Sequence, residues 1–246
     1  MERQKDLRLA VIIDADNIPF SNVTAMLEEI AKYGLPTFKR IYGDWTKPNL
    51  GGWKNVLLEN AITPVQQYGY TKGKNATDSA MIIDAMDILY SGKVDGFCIV
   101  SSDSDFTRLA TRLREAGMLV IGLGEKKTPT PFIASCNKFI YLEILGDEDN
   151  EEESDKKQKD QPVSTAKLDK KVISFIKSSI NDLADDTGWA FLGEVGSLLV
   201  KKQPNFDPRN YGFKKLAPLI QSIRQFETDE RQTDNKNIKH VFVKIK

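Results

Sequence analysis

Apolar residues along the first 145 positions switch between two rhythms. Leu9–Ile13 is a continuous apolar run, the pattern of a strand covered on both faces. Val23, Met26, Leu27 and Ile30 then recur at helical spacing and stop at Gly34. The same switch repeats down the chain. Thr37–Tyr42 is β-prone, and Trp53, Val56 and Leu57 mark a helix. Ile62–Tyr68 is a third strand, followed by a largely buried helix through Ala80, Met81, Ile83, Ala85, Ile88 and Leu89. Phe97–Val100 is a strand, and Leu109, Leu113 and Ala116 stripe a helix closed by Gly117. Met118–Leu123 is a strand, and Phe139–Ile144 is expected to be another after a short helix. Strands alternating with helices predict right-handed βαβ units, and so an α/β fold with a mostly parallel sheet between two helical layers.

The last 80 residues carry a different pattern. Val172, Ile173, Ile176 and Ile180 make one amphipathic helix. Val195, Leu198 and Leu199 make a second, and Leu216, Leu219, Ile220 and Ile223 a third. Val241, Val243 and Ile245 then alternate with His240, Phe242 and Lys244, as in a half-buried strand. Three helices followed by a hairpin predict a small winged helix-turn-helix. The chain shows no internal repeat.

Charge divides these two patterns. Residues 1–146 carry 17 Lys/Arg against 17 Asp/Glu; residues 147–166 carry 3 against 8, and residues 167–246 carry 15 against 10. Asp147–Asp160 contains no apolar residue, so it has nothing to bury and reads as a disordered acidic linker. The expected organisation is a first domain over residues 1–146, a linker over 147–166 and a second domain over 167–246. The net positive tail attracts polyanions, although weakly by charge alone. No apolar run is long enough to span a bilayer, and the N-terminus lacks the basic-then-apolar signature of a signal peptide. Cys98 and Cys136 have neither metal spacing nor a disulfide framework, which fits reduced, buried thiols. The expectation is a cytoplasmic protein without a membrane partner.

Three acidic motifs carry the candidate chemistry. Asp14-Ala-Asp16-Asn17 follows the first strand, Ser101-Ser102-Asp103-Ser104-Asp105-Phe106 follows the fourth, and Asp78 opens a helix. In an open parallel sheet, ligands bind beyond the carboxyl ends of the strands, so these carboxylates have a route to one point. About 5 Å apart at an effective dielectric of about 20, each like-charged pair costs on the order of 3 kcal/mol. Such a group must protonate or take up a cation, and hard carboxylate oxygens suit Mg²⁺ or Mn²⁺. Those ions activate water and stabilise charge on a phosphoryl group. No histidine is placed to act as base, since His240 lies in the second domain.

Each motif also has a plainer role. Asp and Asn make turns after strands, Asp103 or Asp105 can cap the helix near Phe106, and Asp78 suits a helix N-terminus. Asp84 follows Asp78 by six residues, about 240° around a helix, so the two are not expected on one metal. Lys72 and Lys74, in Tyr70-Thr-Lys-Gly-Lys-Asn75, form either a phosphate-holding loop or a solvated turn. Gly122-Leu-Gly124 lacks the third glycine of a dinucleotide site.

At these residues the chain resembles the bacterial branch of the NYN family, the PIN-like metal-dependent ribonucleases. The resemblance rests on Asp14 to Asn17, on Arg40-Ile-Tyr-Gly-Asp-Trp45, on the Lys-containing loop into Asp78 with Asp84 six on, and on Asp103 to Phe106. Ser102 and Ser104 stand where the family often has glycines. The resemblance implies a PIN-like Rossmannoid sheet and endonucleolytic cleavage of RNA with Mg²⁺ or Mn²⁺. It puts Asp14, Asp78, Asp103 and Asp105 on the metal, with Asn17 and Ser101 or Ser102 assisting.

The tail resembles a LOTUS domain, also called OST-HTH, a winged-helix RNA-binding module. Asn205-Phe-Asp-Pro-Arg-Asn-Tyr-Gly-Phe-Lys-Lys-Leu216 carries that likeness. Arg209, Lys214 and Lys215 are its candidate phosphate contacts. Tyr211 or Phe213 either stacks on a base or fills the core, and Lys239, Lys244 and Lys246 form a basic wing or a solvated face. The expected partner is RNA, with a homodimer left open. Two rivals stand beside this reading. One is a haloacid-dehalogenase-like phosphatase using Asp14 and Asp16, which Asn17 speaks against. The other is a non-catalytic RNA-binding adaptor with a vestigial acidic site.

Overall fold

The structure, a computed structural model, describes residues 6–68, 76–145, 168–232 and 239–246. The chain divides into two compact units, Met1–Glu152 and Glu153–Lys246.

In the first unit, β1 (Arg8–Asp14) is buried from its second residue onward. The elements that follow are α1 (Val23–Ala31), β2 (Leu35–Gly43), α2 (Trp53–Glu59), β3 (Thr63–Gln66) and α3 (Ala76–Tyr90). Next come β4 (Gly96–Val100), α4 (Thr107–Glu115), β5 (Leu119–Gly124), α5 (Thr130–Ser135) and β6 (Lys138–Tyr141). The strands form one sheet in the order β3-β2-β1-β4-β5-β6, with every pairing parallel.

The alternation of side chains along β1 explains its unbroken apolar run. Leu9, Val11 and Ile13 join a core with Val23, Met26 and Ile30 of α1 and with Trp53 and Leu57 of α2. Ala10 and Ile12 join a separate core with Met81, Ala85 and Ile88 of α3, Leu109 and Leu113 of α4, and Phe132 of α5. Both faces of the strand are therefore covered, as an all-parallel sheet requires. The chain builds β1 to β3 outward in one direction, then returns through α3 to place β4 on the other side of β1. The carboxyl ends of β1 and β4 thus flank the point where strand order reverses, where open α/β sheets form their ligand crevice.

Two boundaries differ from the sequence reading. The last strand stops at Tyr141, and Leu142–Ile144 closes a 3₁₀ turn instead of extending it. The third strand is shortened to Thr63–Gln66, an edge strand with mostly exposed side chains.

The second unit holds α6 (Lys170–Asn181), β7 (Trp189–Phe191), α7 (Leu192–Lys202), a 3₁₀ turn at Pro208–Tyr211, α8 (Leu216–Gln221), β8 (Phe226–Gln232) and β9 (Lys239–Ile245). Ile176 and Ile180 of α6 meet Val195 and Leu199 of α7, Leu219 and Ile220 of α8, and Val243 of β9 in one core. The three helices and the hairpin match the amphipathic pattern. The structure adds β7, which makes an antiparallel sheet in the order β7-β9-β8. Three residues, Trp-Ala-Phe, are too short to show an alternation, which is why the sequence pattern missed this strand. Among the described residues, no helix is long and apolar enough to cross a membrane.

Candidate active site

β1 delivers Asp14 to the crevice, and the turn after it locks the carboxylate in place. Asp14 Oδ1 accepts the Asp16 N–H at 3.1 Å; Oδ2 accepts Asn17 Nδ2 at 2.5 Å and Ser101 Oγ at 3.0 Å. Asp14 is 1% exposed. Burial pushes its carboxyl above the usual range, and the hydrogen bonds from Asn17, Ser101 and Asp16 pull it back. The Asp-x-x-Asn segment is therefore both a turn and part of a site. Ser101 joins the two strand ends, since its Oγ also accepts the Asp103 N–H at 3.1 Å. A Cβ on Gly124 would lie 2.6 Å from the Ser101 carbonyl oxygen, so glycine lets the end of β5 approach this loop.

Three further carboxylates converge beside this anchor. Asp78 sits in the first turn of α3, and Asp103 and Asp105 follow β4. One oxygen from each lies within 4.8 Å of the other two. Asp103 Oδ1 accepts the Asp105 N–H at 2.9 Å and caps the 3₁₀ turn at Ser104–Phe106, which leads into α4. One residue thus caps and takes part in the cluster. The Asp78 carboxyl is pushed up to about 6, first by burial and then by the charges of Asp14, Asp103, Asp105 and Asp16. Burial and the neighbouring like charges make ionising Asp78 costly. All donors are hard carboxylate oxygens, one from α3 and two from the turn after β4, a set that fits a divalent ion such as Mg²⁺ or Mn²⁺. Among the described residues, the compact group has three members. Asp14, expected as a fourth ligand, is not part of it, and both its oxygens already accept hydrogen bonds.

Asp84 behaves as the helical spacing predicts, turned away from the cluster. It accepts hydrogen bonds from Arg40 Nη1 and from the Tyr42 hydroxyl, tying α3 to β2. Burial, reinforced by Asp84, holds the Tyr42 phenol above its ordinary value. The sequence reading gave Arg40 and Tyr42 no role. A signal was present: they stand two apart on a strand, on one face, opposite a helical acid.

The remaining candidates fall in varied places. Ser102 is buried, and its Oγ accepts the Glu125 N–H at 2.9 Å, so it fastens the loop to the end of β5. Asp16 is 3.5 Å from Lys47. Lys72 and Lys74 lie outside the described residues. In the second unit Arg209 pairs with Asp207, Nη2 to Oδ2 at 2.8 Å and Nε to Oδ1 at 3.0 Å. Tyr211 and Phe213 pack against the core, and the Tyr211 ring lies 5.9 Å from Phe206. Lys214 and Lys215 are exposed just ahead of α8.

This geometry agrees with comparisons against known proteins. The NYN domain profile matches residues 8–143, and the OST-HTH/LOTUS domain profile matches residues 164–238. The chain belongs to the NYN domain family. Its NYN domain is the PIN-like α/β sheet, a nuclease-type fold, and the second unit is an RNA-binding-type module. No curated protein matches the chain. Solved structures do. A protein of unknown function from Vibrio parahaemolyticus is 17% identical with a TM-score of 0.47, over 56% of this chain and 94% of that one. An uncharacterised protein from Nitrosomonas europaea is 35% identical with a TM-score of 0.30, over 36% of this chain and 90% of that one. A protein from Chromobacterium violaceum is 29% identical with a TM-score of 0.26, over 35% of this chain and 87% of that one.

Proposed function

We propose that the protein is a metal-dependent endoribonuclease whose NYN domain hydrolyses RNA that the OST-HTH domain recruits. The observation that carries this is the convergence of Asp78, Asp103 and Asp105 at the strand-order reversal of a PIN-like sheet. In this reading those three carboxylates hold Mg²⁺ or Mn²⁺, and Asp14 completes the acidic wall. Either ion supplies polarisation of a phosphoryl oxygen and lowers the pKa of an attacking water.

The chain's own residues do the positioning. Asn17 and Ser101 fix the Asp14 carboxylate. Ser101 and the Asp103 cap set the loop after β4, so the ligand oxygens need little rearrangement. Lys72 and Lys74, six and four residues before Asp78, are proposed to hold substrate phosphates beside the site. Residues 147–166 are proposed as the tether that raises the RNA concentration at a catalytic domain with no net charge of its own. The working location is the cytoplasm.

The test is incubation with end-labelled single-stranded and structured RNAs in Mn²⁺, Mg²⁺ or EDTA, beside Asp103→Asn. Internal cleavage with metal, absent in EDTA and in the variant, is expected. An intact RNA under every metal sinks the proposal. The phosphatase alternative requires Asp16 as its acid: under it the activity is release of phosphate from monoesters and Asp16→Asn abolishes it, whereas under the ribonuclease reading Asp16→Asn leaves RNA cleavage largely intact.

A further inference from the structure

The outer face of the C-terminal sheet carries aromatic rings that the core does not use. Pairing places Trp189 opposite Lys244 and Phe191 opposite Phe242 across β7 and β9. Across β9 and β8 it places Arg231 opposite His240, Asp229 opposite Phe242 and Glu227 opposite Lys244. The intervening residues Ala190 and Val243 point into the core, so the paired set shares the opposite face. Trp189, Phe191 and Phe242 are half-buried, and none belongs to the core or to the side chains packed against it.

These rings sit against one another and against cations. Phe191 lies 5.7 Å from Phe242 and 4.8 Å from the His240 ring. The Arg231 guanidinium lies 4.2 Å over Phe242 and 5.2 Å over Trp189, and Lys244 Nζ is 5.9 Å from Trp189. Two glycines shape the surface. A Cβ on Gly193 would meet the Phe191 ring at 2.8 Å. Gly188, at φ +83, leaves room for the Lys244 chain, 3.1 Å from where its Cβ would be. The acids on or beside this face include Glu227, Asp229 and Asp185; Asp229 is paired with Arg231 at 2.9 Å, and Asp185, which accepts the Trp189 N–H at 3.0 Å, also feels the Arg231 charge.

We propose that this face is a stacking platform for unpaired bases of RNA, an inference that rests on the proposed RNA-acting function. Every base offers a π-face, and aromatic rings and guanidinium planes both stack on it. Arg231, already laid across two rings, extends the stack outward while its charge and that of Lys244 meet the phosphates. A duplex keeps its base faces covered and offers phosphates and sugars instead, so the platform selects single strands. Tyr211 packs against the core of this unit, whereas the rings of the sheet face lie outside that core.

The test uses the full-length Asp103→Asn protein in EDTA, with fluorescein-labelled 12-nucleotide oligoadenylate and a blunt RNA duplex of the same length as probes. Trp189→Leu and Phe242→Leu keep apolar bulk at half-exposed positions; unchanged circular dichroism and melting temperature verify folding. Each is expected to weaken single-strand binding by about fivefold to 150-fold, the range for loss of one stacked base. Trp189→Phe should restore most of that affinity, and duplex binding should not change. Quenching of tryptophan fluorescence by oligoadenylate should disappear in Trp189→Phe. Single-strand affinity that is unchanged in both Leu variants overturns the platform. No single-strand binding by the parent overturns it as well. Cleavage by the wild type with Mn²⁺ is read separately: cleavage with insensitive binding sinks the platform alone, whereas sensitive binding without cleavage sinks the ribonuclease reading alone.

Discussion

The two sheets of this protein expose opposite chemistries. The parallel sheet is covered on both faces, and what it offers is its carboxyl edge, where buried Asp14 anchors a crowded set of acids. The small antiparallel sheet is covered on one face, and what it offers is the other, lined with Trp189, Phe191 and Phe242 beneath Arg231. One surface gathers like charges; the other displays polarisable rings. Under the proposed function, the contrast separates reaction from recognition, because each depends on a different property of sheet geometry.

The sharpest way to break that separation is to remove one acid. Asp78→Asn or Asp103→Asn should lower single-turnover cleavage by about 10²- to 10³-fold, the scale of losing one preorganised charge-stabilising group. RNA affinity in EDTA should be unchanged or slightly improved. A parallel collapse of affinity and rate would show that the acids act in binding. The reciprocal operation is removal of residues 167–246. RNA affinity should fall by about 10²-fold, as expected when a tethered second site is lost, while the rate at saturating RNA stays within a few-fold. A rate that falls with the affinity would make the second unit part of the catalytic centre.

The two surfaces also differed in how legible they were in the sequence. Asp14 and Asp103 each terminate an apolar run, so strand ends and acids could be read together, and Asp78 marks its own helix start. The doubly wound sheet was legible for the same reason, because continuous runs and helical stripes alternate over ten or more residues at a time. Three features were not legible. Asp14 shares the acidic wall yet spends its oxygens on Asn17, Ser101 and Asp16, a distinction that only the turn geometry makes. The pairing of Arg209 with an acid two residues away is another such feature. The aromatic face depends on β7, three residues long, and on pairing with a strand some fifty residues further along, a relation no local period contains.

A smaller effect tests how the acids are held. Asp84→Ala leaves Arg40 and the buried Tyr42 hydroxyl without their shared acceptor and should cost about 2 kcal/mol. For a chain of this size that lowers the melting temperature by roughly 4–8 °C. An unchanged melting temperature would show that the contact between α3 and β2 does not depend on this network.

The smallest effect is the repulsion itself. The Asp78 carboxyl is raised from 3.8 to about 6 in the folded protein, so the native state holds its proton more tightly than the unfolded chain. In EDTA this group's contribution to stability therefore falls as pH rises from about 4 through about 6 and stays low above that. Asp78→Asn should remove that component, so its melting temperature gains on the wild type between pH 4.5 and pH 7.5. Mn²⁺ should reverse the order at pH 7.5 by stabilising the wild type alone. A difference between the two proteins that does not change with pH would contradict the charge crowding.

The central claim is that Asp78, Asp103 and Asp105 hold the ion on which cleavage depends. It is tested most directly by titrating Mn²⁺ into the wild type and into Asp105→Asn while recording bound metal calorimetrically and single-turnover cleavage of one end-labelled RNA. The account predicts that rate rises with occupancy in the wild type, and that the variant shifts both curves together to higher Mn²⁺. Cleavage at full rate in the variant at Mn²⁺ concentrations where it binds no metal would contradict it.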